Sequence, residues 1–175
     1  MGSRGLWVLA LHRFGYHHSA WRARRGWNAG TIAARIVLAL IRWPIVVISK
    51  CEVADAIDTG PGVYLSDRGF LILGPKSIGT GTLIHHRVTI GVRAGSDARP
   101  TIGDNVWIGP DCVIYGDVSL GDGATTLPGS VVSMNVPPGA VAGGNPATIV
   151  RRQFDNGPLR RTLATDIDPQ SLVAR

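Results

Sequence analysis

The middle of the chain repeats every six residues, and nearly every unit begins with an aliphatic residue. One run of units begins at Ile78, and a second runs from Ile102 to beyond Val132. A unit of six residues is too short to bury its own aliphatic residue, so successive coils must stack to form a continuous core. The fifth residue of each complete unit is small or β-branched and is expected inside: Thr82, Val88, Val106, Cys112, Val118, Ala124, Ser130 and Val136.

Polar and turn-forming residues occupy the second to fourth positions of the units, where Gly, Asn and Asp recur. These residue types tolerate the positive φ that a sharp corner requires. Neither the three- and four-residue spacing of a helix nor simple alternation fits nine units in step. The pattern therefore predicts an all-β core, a triangular solenoid of parallel strands with three short sides to each coil.

Composition agrees with a thin, tightly wound core. The 175 residues include 23 Gly but only 3 Phe and 3 Tyr, although 45% of the chain is hydrophobic. Small aliphatic residues with many glycines suit narrow coils better than a sandwich filled with aromatic rings. The length corresponds to one domain, which we divide into an N-terminal helical cap (1–50), the solenoid (51–150) and a C-terminal helical tail (151–175).

The N-terminal segment has two open interpretations. It contains two helical candidates, Leu6–Gly15 and Thr31–Ser49, which are suited to cover the open end of a solenoid. Its arginines and tryptophans also suit peripheral contact with an anionic membrane surface. The apolar stretch around the second candidate is interrupted by Arg35, Arg42 and Pro44, so it is too short to span a bilayer.

The net charge of +6 does not indicate nucleic-acid binding. The arginines lie mostly before residue 50 and after residue 150, and no nucleic-acid motif accompanies them. The two cysteines, Cys51 and Cys112, form no CxxC motif, and the six-residue register makes Cys112 a buried, inert thiol. Because the N-terminus carries no export signal, we expect a cytoplasmic protein. Under the second interpretation of the N-terminal segment, this protein also contacts a membrane surface.

The segment from Thr101 to Ala124, followed by a Val-x-Gly-x-Pro-Ala-like ending at Val141–Ala147, resembles the serine O-acetyltransferases and related hexapeptide-repeat acyltransferases. The resemblance covers Glu52–Arg152. It implies a left-handed parallel β-helix, a homotrimer, and acetyl-CoA as co-substrate in a groove between neighbouring subunits. The implied activity is transfer of an acetyl group to the hydroxyl of a small acceptor, which is serine-like, a sugar or a natural-product alcohol.

The chain departs from that family at its catalytic positions. Matching the family's Leu-Asp-His-Ala-Thr-Gly segment places Asp67 where the essential histidine stands, and Arg99 stands where a second histidine lies in the loop. The acidic residue that precedes the first coil is kept in type, as Glu52. A different base is therefore required for acetyl transfer.

The repeat register suggests that His86 supplies this base, with His85 as second choice. If Leu71–Ser77 forms a single seven-residue side, Ser66 and Asp67 lie directly below the two histidines, about 4.8 Å away. A carboxylate against one imidazole nitrogen fixes the tautomer and leaves the other nitrogen free to take a proton. The alternative is that both histidines are corner residues with ordinary hydrogen bonds.

A loop from Arg93 to Thr101 interrupts the repeat and is expected to be functional. We assign Glu52, Ser66 and Arg99 to the acceptor. The residues assigned to acetyl-CoA are glycines along the coils and basic residues near its phosphates: Gly91, Arg93, Gly109, Gly129, Arg151 and Arg152.

Two other functions fit the same fold. One is a non-catalytic solenoid that binds a ligand or partner in a biosynthetic pathway. The other is a zinc-dependent enzyme resembling the γ-carbonic anhydrases, which needs three histidines. The repeats contribute only His85 and His86, and neighbouring residues rarely bind one metal together, so no metal is expected.

Overall fold

The computed structural model describes residues 9, 10, 13, 30, 32–34, 36, 37, 39, 40, 51–53, 57–66 and 69–161. For Cys51 and Glu52 it describes the backbone. Most of the predicted N-terminal cap and the last part of the tail lie outside the described residues, and so do Asp67 and its neighbour Arg68 within the solenoid.

The repeat folds as predicted into three sheets, with one strand of each sheet per coil, and neighbouring strands are parallel except for the last pair of the third sheet. The first sheet contains β1 (Cys51–Val53), β4 (Leu71–Leu73), β7 (Val88–Gly91), β10 (Val113–Tyr115) and β13 (Val131–Val132). The second contains β2 (Asp58–Thr59), β5 (Ser77–Ile78), β8 (Thr101–Ile102) and β11 (Ser119–Leu120). The third contains β3 (Tyr64–Leu65), β6 (Leu83–Ile84), β9 (Trp107–Ile108), β12 (Thr125–Thr126), β14 (Val141–Gly144) and β15 (Ala147–Arg151).

The core lies inside the triangular prism. Ile84, Ile108 and Thr126 stack in register on consecutive coils of the third sheet, as Ile90, Ile114 and Val132 do on the first. All eight fifth-position residues are buried, among them Cys112, whose pKa is raised by burial. The first and the fifth residues of the units therefore point into the core, as predicted. Each buried aliphatic side chain contributes about 1.5–3 kcal/mol to the free energy of unfolding.

Corners follow the turn residues. The fourth residue of the units adopts positive φ, as at Asn105 (55°), Asp111 (61°) and Gly123 (68°). Another corner position, Gly103, requires glycine for a different reason, since a Cβ there would lie 2.9 Å from both the Asp122 backbone nitrogen and the Leu120 carbonyl oxygen. The corner chemistry expected from the sequence is therefore present.

One expectation about coil length is wrong. Leu65 pairs with Ile84, as the sequence predicted, but Leu71 pairs with Val88. The corner after Leu65 therefore holds two more residues than the corner after Ile84, and the side that follows is shortened. The extra length does not lie between Leu71 and Ser77. Buried side chains keep the strands aligned, so the surplus is accommodated at an exposed corner.

The last coil ends in a hairpin, in which β15 returns antiparallel to β14. Residues 154–161, here called the C-terminal strap, then cross the outer face of the third sheet and include the helix Gly157–Arg161. The side-chain nitrogen of Asn156 donates to three carbonyls, those of Asn105, Gly123 and Ala124, at 2.9–3.2 Å. Arg160 Nη1 in turn donates to Asn105 Oδ1 at 2.8 Å. The strap thus joins several coils.

A second apolar cluster lies beneath the strap, outside the prism. Trp107, Leu83 and Leu159 form it, and Tyr64, Leu127 and Phe154 pack against it. The side chains of Trp107 and Thr125 occupy neighbouring coils in register and are almost fully buried. Trp107 Nε1 and Thr125 Oγ1 make no hydrogen bond to the residues that the structure describes.

Candidate functional site

The corner that joins the third sheet to the first carries both histidines of the repeat. His85, His86 and Arg87 connect β6 to β7 there, and Arg87 turns the chain with a φ of 55°. On the next coil the same corner is formed by residues 109–111, and on the preceding coil its described residues are Ser66, Gly69 and Phe70. We call these three segments the histidine corner.

His85 is partly buried and held on two sides. Its backbone N–H donates to the carbonyl of Ile108 at 3.0 Å, and its ring lies edge-on to Trp107, with centroids 4.9 Å apart. Burial, assisted by the charge of His86, lowers the pKa of His85 to about 4. His85 is therefore a neutral imidazole at neutral pH, and it is a weak base.

His86 follows His85 at the corner and is also partly buried. Its ring centroid is 6.3 Å from that of His85, and its carbonyl accepts a hydrogen bond from the Asp111 N–H at 3.1 Å. The carboxylate of Asp111 is on the next coil and close enough to His86 for the two charges to interact. Among the described residues, Asp111 thus supplies a carboxylate to this corner.

Asp111, which the sequence did not reveal, also pairs with an arginine. Its two oxygens bind the guanidinium of Arg87, with Arg87 Nη2 2.6 Å from Asp111 Oδ2. The hydrogen bond with Arg87 lowers the pKa of Asp111, so this group is a carboxylate at neutral pH. Both residues are the fourth of their units, on adjacent coils, and this shared position is the sequence signal that could have revealed the pair.

The predicted contact between Asp67 and His86 lies outside the described residues. The described part of that corner includes Ser66, whose N–H donates to the carbonyl of Ile84 at 2.9 Å, one residue before His85. Gly69 lies against His86, since a Cβ on Gly69 would be 3.3 Å from His86 Cβ. The longer corner therefore passes close beside His86. Glu52, predicted to lie near the acceptor, pairs through its backbone with Ile72.

The predicted loop leaves the solenoid at a different corner, the one between the first and second sheets. Arg93 places its guanidinium 5.5 Å from the ring centroid of Tyr115, and Arg99 is exposed. Ser96 closes a turn by donating its N–H to the Arg93 carbonyl at 3.0 Å. Within one chain, then, the loop arginines and the two histidines lie at separate corners of the prism.

The three glycines assigned to acetyl-CoA differ in their surroundings. A Cβ on Gly109 would lie 2.7 Å from the Thr126 carbonyl oxygen, so packing alone explains that glycine. Gly91 and Gly129 face open space. Of the two basic residues assigned with them, Arg151 stacks over Phe154 at 5.7 Å and Arg152 is exposed. These assignments stay predictions.

In the described part of the chain, no three His, Cys, Asp or Glu side chains group in a way that could hold a metal ion. The helices of that part are also too short, or too polar, to cross a membrane.

Comparison with known proteins agrees with this geometry. Residues 99–133 match the family described as bacterial transferase hexapeptide (six repeats). Over 154 residues the chain is 34% identical to serine acetyltransferase 2 of Arabidopsis thaliana, an alignment that covers 85% of this chain and 46% of that protein. Its first curated relatives extend well beyond it, since it spans between 38% and 54% of their lengths.

Two solved structures share the fold. Soybean serine acetyltransferase complexed with serine is 30% identical, with a TM-score of 0.67 over 83% of this chain and 57% of that one. Serine acetyltransferase from Brucella abortus in complex with coenzyme A is 24% identical, with a TM-score of 0.72 over 87% of this chain and 58% of that one.

The fold and the repeat match define the chain as a hexapeptide-repeat protein with the predicted left-handed parallel β-helix. Within that class, it is a serine O-acetyltransferase-like protein.

Proposed function

We propose that the protein is an acetyl-CoA-dependent O-acetyltransferase with His86 as its general base. The observation that carries this proposal is the histidine corner itself, where a partly buried, neutral His85 and a carboxylate, Asp111, flank His86. The names of its relatives support the reaction, and the same fold holds coenzyme A in the Brucella abortus enzyme.

In the proposed reaction the acceptor hydroxyl attacks the thioester carbonyl while His86 removes the hydroxyl proton. The C–S bond of the tetrahedral intermediate then breaks, and the CoA sulfur takes a proton from the histidine as it leaves. Acetyl ester and free CoA are the products. No covalent intermediate on the enzyme is needed, because the thioester is already activated.

His86 is a better candidate than His85 for two physical reasons. A general base works best when its pKa lies near the working pH, and the pKa of His85 is lowered to about 4. The ring of His85 is also packed edge-on against Trp107, so it is placed to support the corner. We assign His85 the role of a neutral neighbour that positions His86.

L-serine is the first acceptor to test, because the relatives reported above are serine acetyltransferases. We assign contact with the acceptor to Ser66, which lies one coil from His85, and to Glu52 and Arg99. The change of both family histidines, to Asp67 and Arg99, makes a panel of alternative alcohols necessary. Sugars and natural-product alcohols belong in that panel.

The proposal includes a homotrimer with the site between subunits. Its support is that the loop arginines and the histidines lie at different corners of one prism, so a neighbouring copy is needed to bring them together. Mixing a His86→Gln chain with an Arg99→Ala chain should then restore part of the activity that each lacks alone. Failure of mixed trimers to recover any activity would argue for a site within one chain.

The decisive experiment measures release of free CoA thiol from acetyl-CoA with each acceptor. His86→Gln keeps a polar side chain of similar length but cannot take the proton, so we expect kcat to fall by about a hundredfold or more. Acetyl-CoA binding and the thermal melt should stay unchanged. Full activity in this variant would exclude His86 as base, and no turnover or binding of acetyl-CoA in the unaltered protein would favour the non-catalytic binding role.

A further inference from the structure

The described residues of the first fifty fall into two groups with opposite surroundings. Leu9 is only 8% exposed and belongs to the main core cluster. Arg13 Nη2 donates to the carbonyl of Gly60, a corner residue of the first coil, at 3.0 Å. This first group is therefore docked on the solenoid and does what a cap is expected to do.

The second group lies between residues 30 and 40, and its apolar side chains are exposed, whereas Leu9 of the first group is buried. Its described residues are helical, yet its large apolar side chains face solvent. Ile32 is 43% exposed, Ile36 56% and Leu40 69%, and Val37 is 54% exposed. Residues 32, 36 and 40 recur every four positions, which places them on one side of a helix, next to Val37. The result is an apolar helical face without a partner among the described residues.

Positive charge is concentrated in the N-terminal part of the sequence. The first 50 residues contain eight Lys and Arg residues and no Asp or Glu. The other 125 residues contain ten basic and twelve acidic residues, so their net charge is slightly negative. Arg35 and Arg42 lie within and just after the apolar group in the sequence. All of the excess positive charge thus lies in the first fifty residues, the part of the sequence that contains the exposed apolar face.

Exposed aliphatic side chains in a segment with only positive charge fit one partner best. Anionic lipid offers acyl chains to the apolar face and phosphate to the arginines. A second copy of the same segment would bring two sets of eight positive charges together, which is unfavourable.

We propose that the helical face formed by Ile32, Ile36 and Leu40 lies along the surface of an anionic bilayer, with these three side chains inserted among the lipid chains. The basic charge of the first fifty residues attracts the lipid headgroups, and Leu9 and Arg13 keep the segment attached to the solenoid. This docking surface is independent of acetyl transfer, because it shares no residue with the histidine corner.

Vesicle co-sedimentation of the full chain tests the proposal without substrate. The probes are vesicles of phosphatidylcholine alone and vesicles in which about a third of the lipid is phosphatidylglycerol. We expect binding to the anionic vesicles to exceed that to neutral vesicles by about tenfold, and to weaken as salt is raised. The double variant Ile36→Ser, Leu40→Ser should lose about tenfold in affinity for the anionic vesicles.

Val150→Ser is the matched control, because Val150 is 48% exposed but lies in β15 at the other end of the chain. It should bind vesicles as the unaltered protein does. Thermal melts of both variants should match the unaltered protein, since the substituted side chains are exposed.

Three results would overturn the proposal. These are absence of binding to anionic vesicles, equal binding of the double variant and the unaltered protein, and loss of oligomeric mass in the double variant without vesicle binding. The last result would assign the apolar face to contact between copies of the chain.

Discussion

The indole of Trp107 lies edge-on to the imidazole of His85, with ring centroids 4.9 Å apart and ring planes inclined by 62°. Trp107 is also covered by Leu159 of the C-terminal strap. A continuous set of contacts therefore leads from the strap to the corner that carries the proposed base. Burial of His85 is the main cause of its lowered pKa, and the charge of His86 adds to it.

His85 should make stability depend on pH. In the unfolded chain it binds a proton below about pH 6.5, whereas in the folded protein it stays neutral until about pH 4. The unfolded state thus binds more protons in this window, and the free energy of unfolding falls as the pH is lowered through it. Urea denaturation at pH 7, 6 and 5 measures the slope, and His85→Asn should reduce it. An NMR titration midpoint near 6.5 for His85 would contradict the prediction.

Thr125→Val should stabilise the protein by about 1 kcal/mol. The hydroxyl of Thr125 is buried without a partner among the described residues, and valine has the same shape without the polar atom. Thr82→Val is the contrasting variant, because Thr82 Oγ1 donates to the Gly103 carbonyl at 2.9 Å and accepts from the Val106 N–H. That change should cost about 1–3 kcal/mol. Equal melting temperatures for the two variants would disagree with the structure.

Asn156→Ala should lower the free energy of unfolding by about 2–3 kcal/mol. The change leaves the carbonyls of Asn105, Gly123 and Ala124 without their side-chain donor beneath the strap. Asn135→Ala is the control, since the exposed Asn135 also bonds to a backbone group, the Ser119 N–H, at 2.8 Å. We expect that control to lose about 1 kcal/mol or less. Denaturant titration distinguishes the two, and a small effect at Asn156 would mean that the strap is not held there.

Gly91→Ala separates packing from cofactor binding. A Cβ at Gly91 meets open space, so stability should change by about 0.5 kcal/mol or less. If the pantetheine arm of acetyl-CoA lies against Gly91, KM for acetyl-CoA should rise while kcat changes little. Gly109→Ala should instead destabilise the protein by about 2 kcal/mol or more, because its Cβ would meet the Thr126 carbonyl. An unchanged KM in Gly91→Ala would place the cofactor elsewhere.

Much of the architecture could be predicted from the sequence because the repeat leaves one way to bury its aliphatic residues. The inward positions and the corner residues follow from the six-residue period. The alignment of Leu65 with Ile84 was also predicted, but it needs one residue more than three units, and that surplus was assigned to the wrong part of the coil. The helix of the tail, Gly157–Arg161, was also expected, although its contacts were not.

The features outside the stacked core could not be predicted, because they do not follow the six-residue repeat. Trp107 and Asn156 act on the outer face, where contacts with the strap depend on the path of a non-repeating segment. The longer corner after Leu65 was missed because the shorter side that follows it largely cancels its effect on coil length. Asp111 was overlooked because the sequence does not show that the corner of the next coil reaches His86.

That longer corner also has an evolutionary consequence. Leu65 and Ile84 are aligned although the corner between Leu65 and Leu71 is two residues longer than the corner after Ile84, so the stacked core tolerates a difference in length at the prism edge. Closing a slightly longer surface loop costs little free energy. New substrate preferences can therefore arise by insertion or deletion beside His86 while the stacked interior is inherited unchanged.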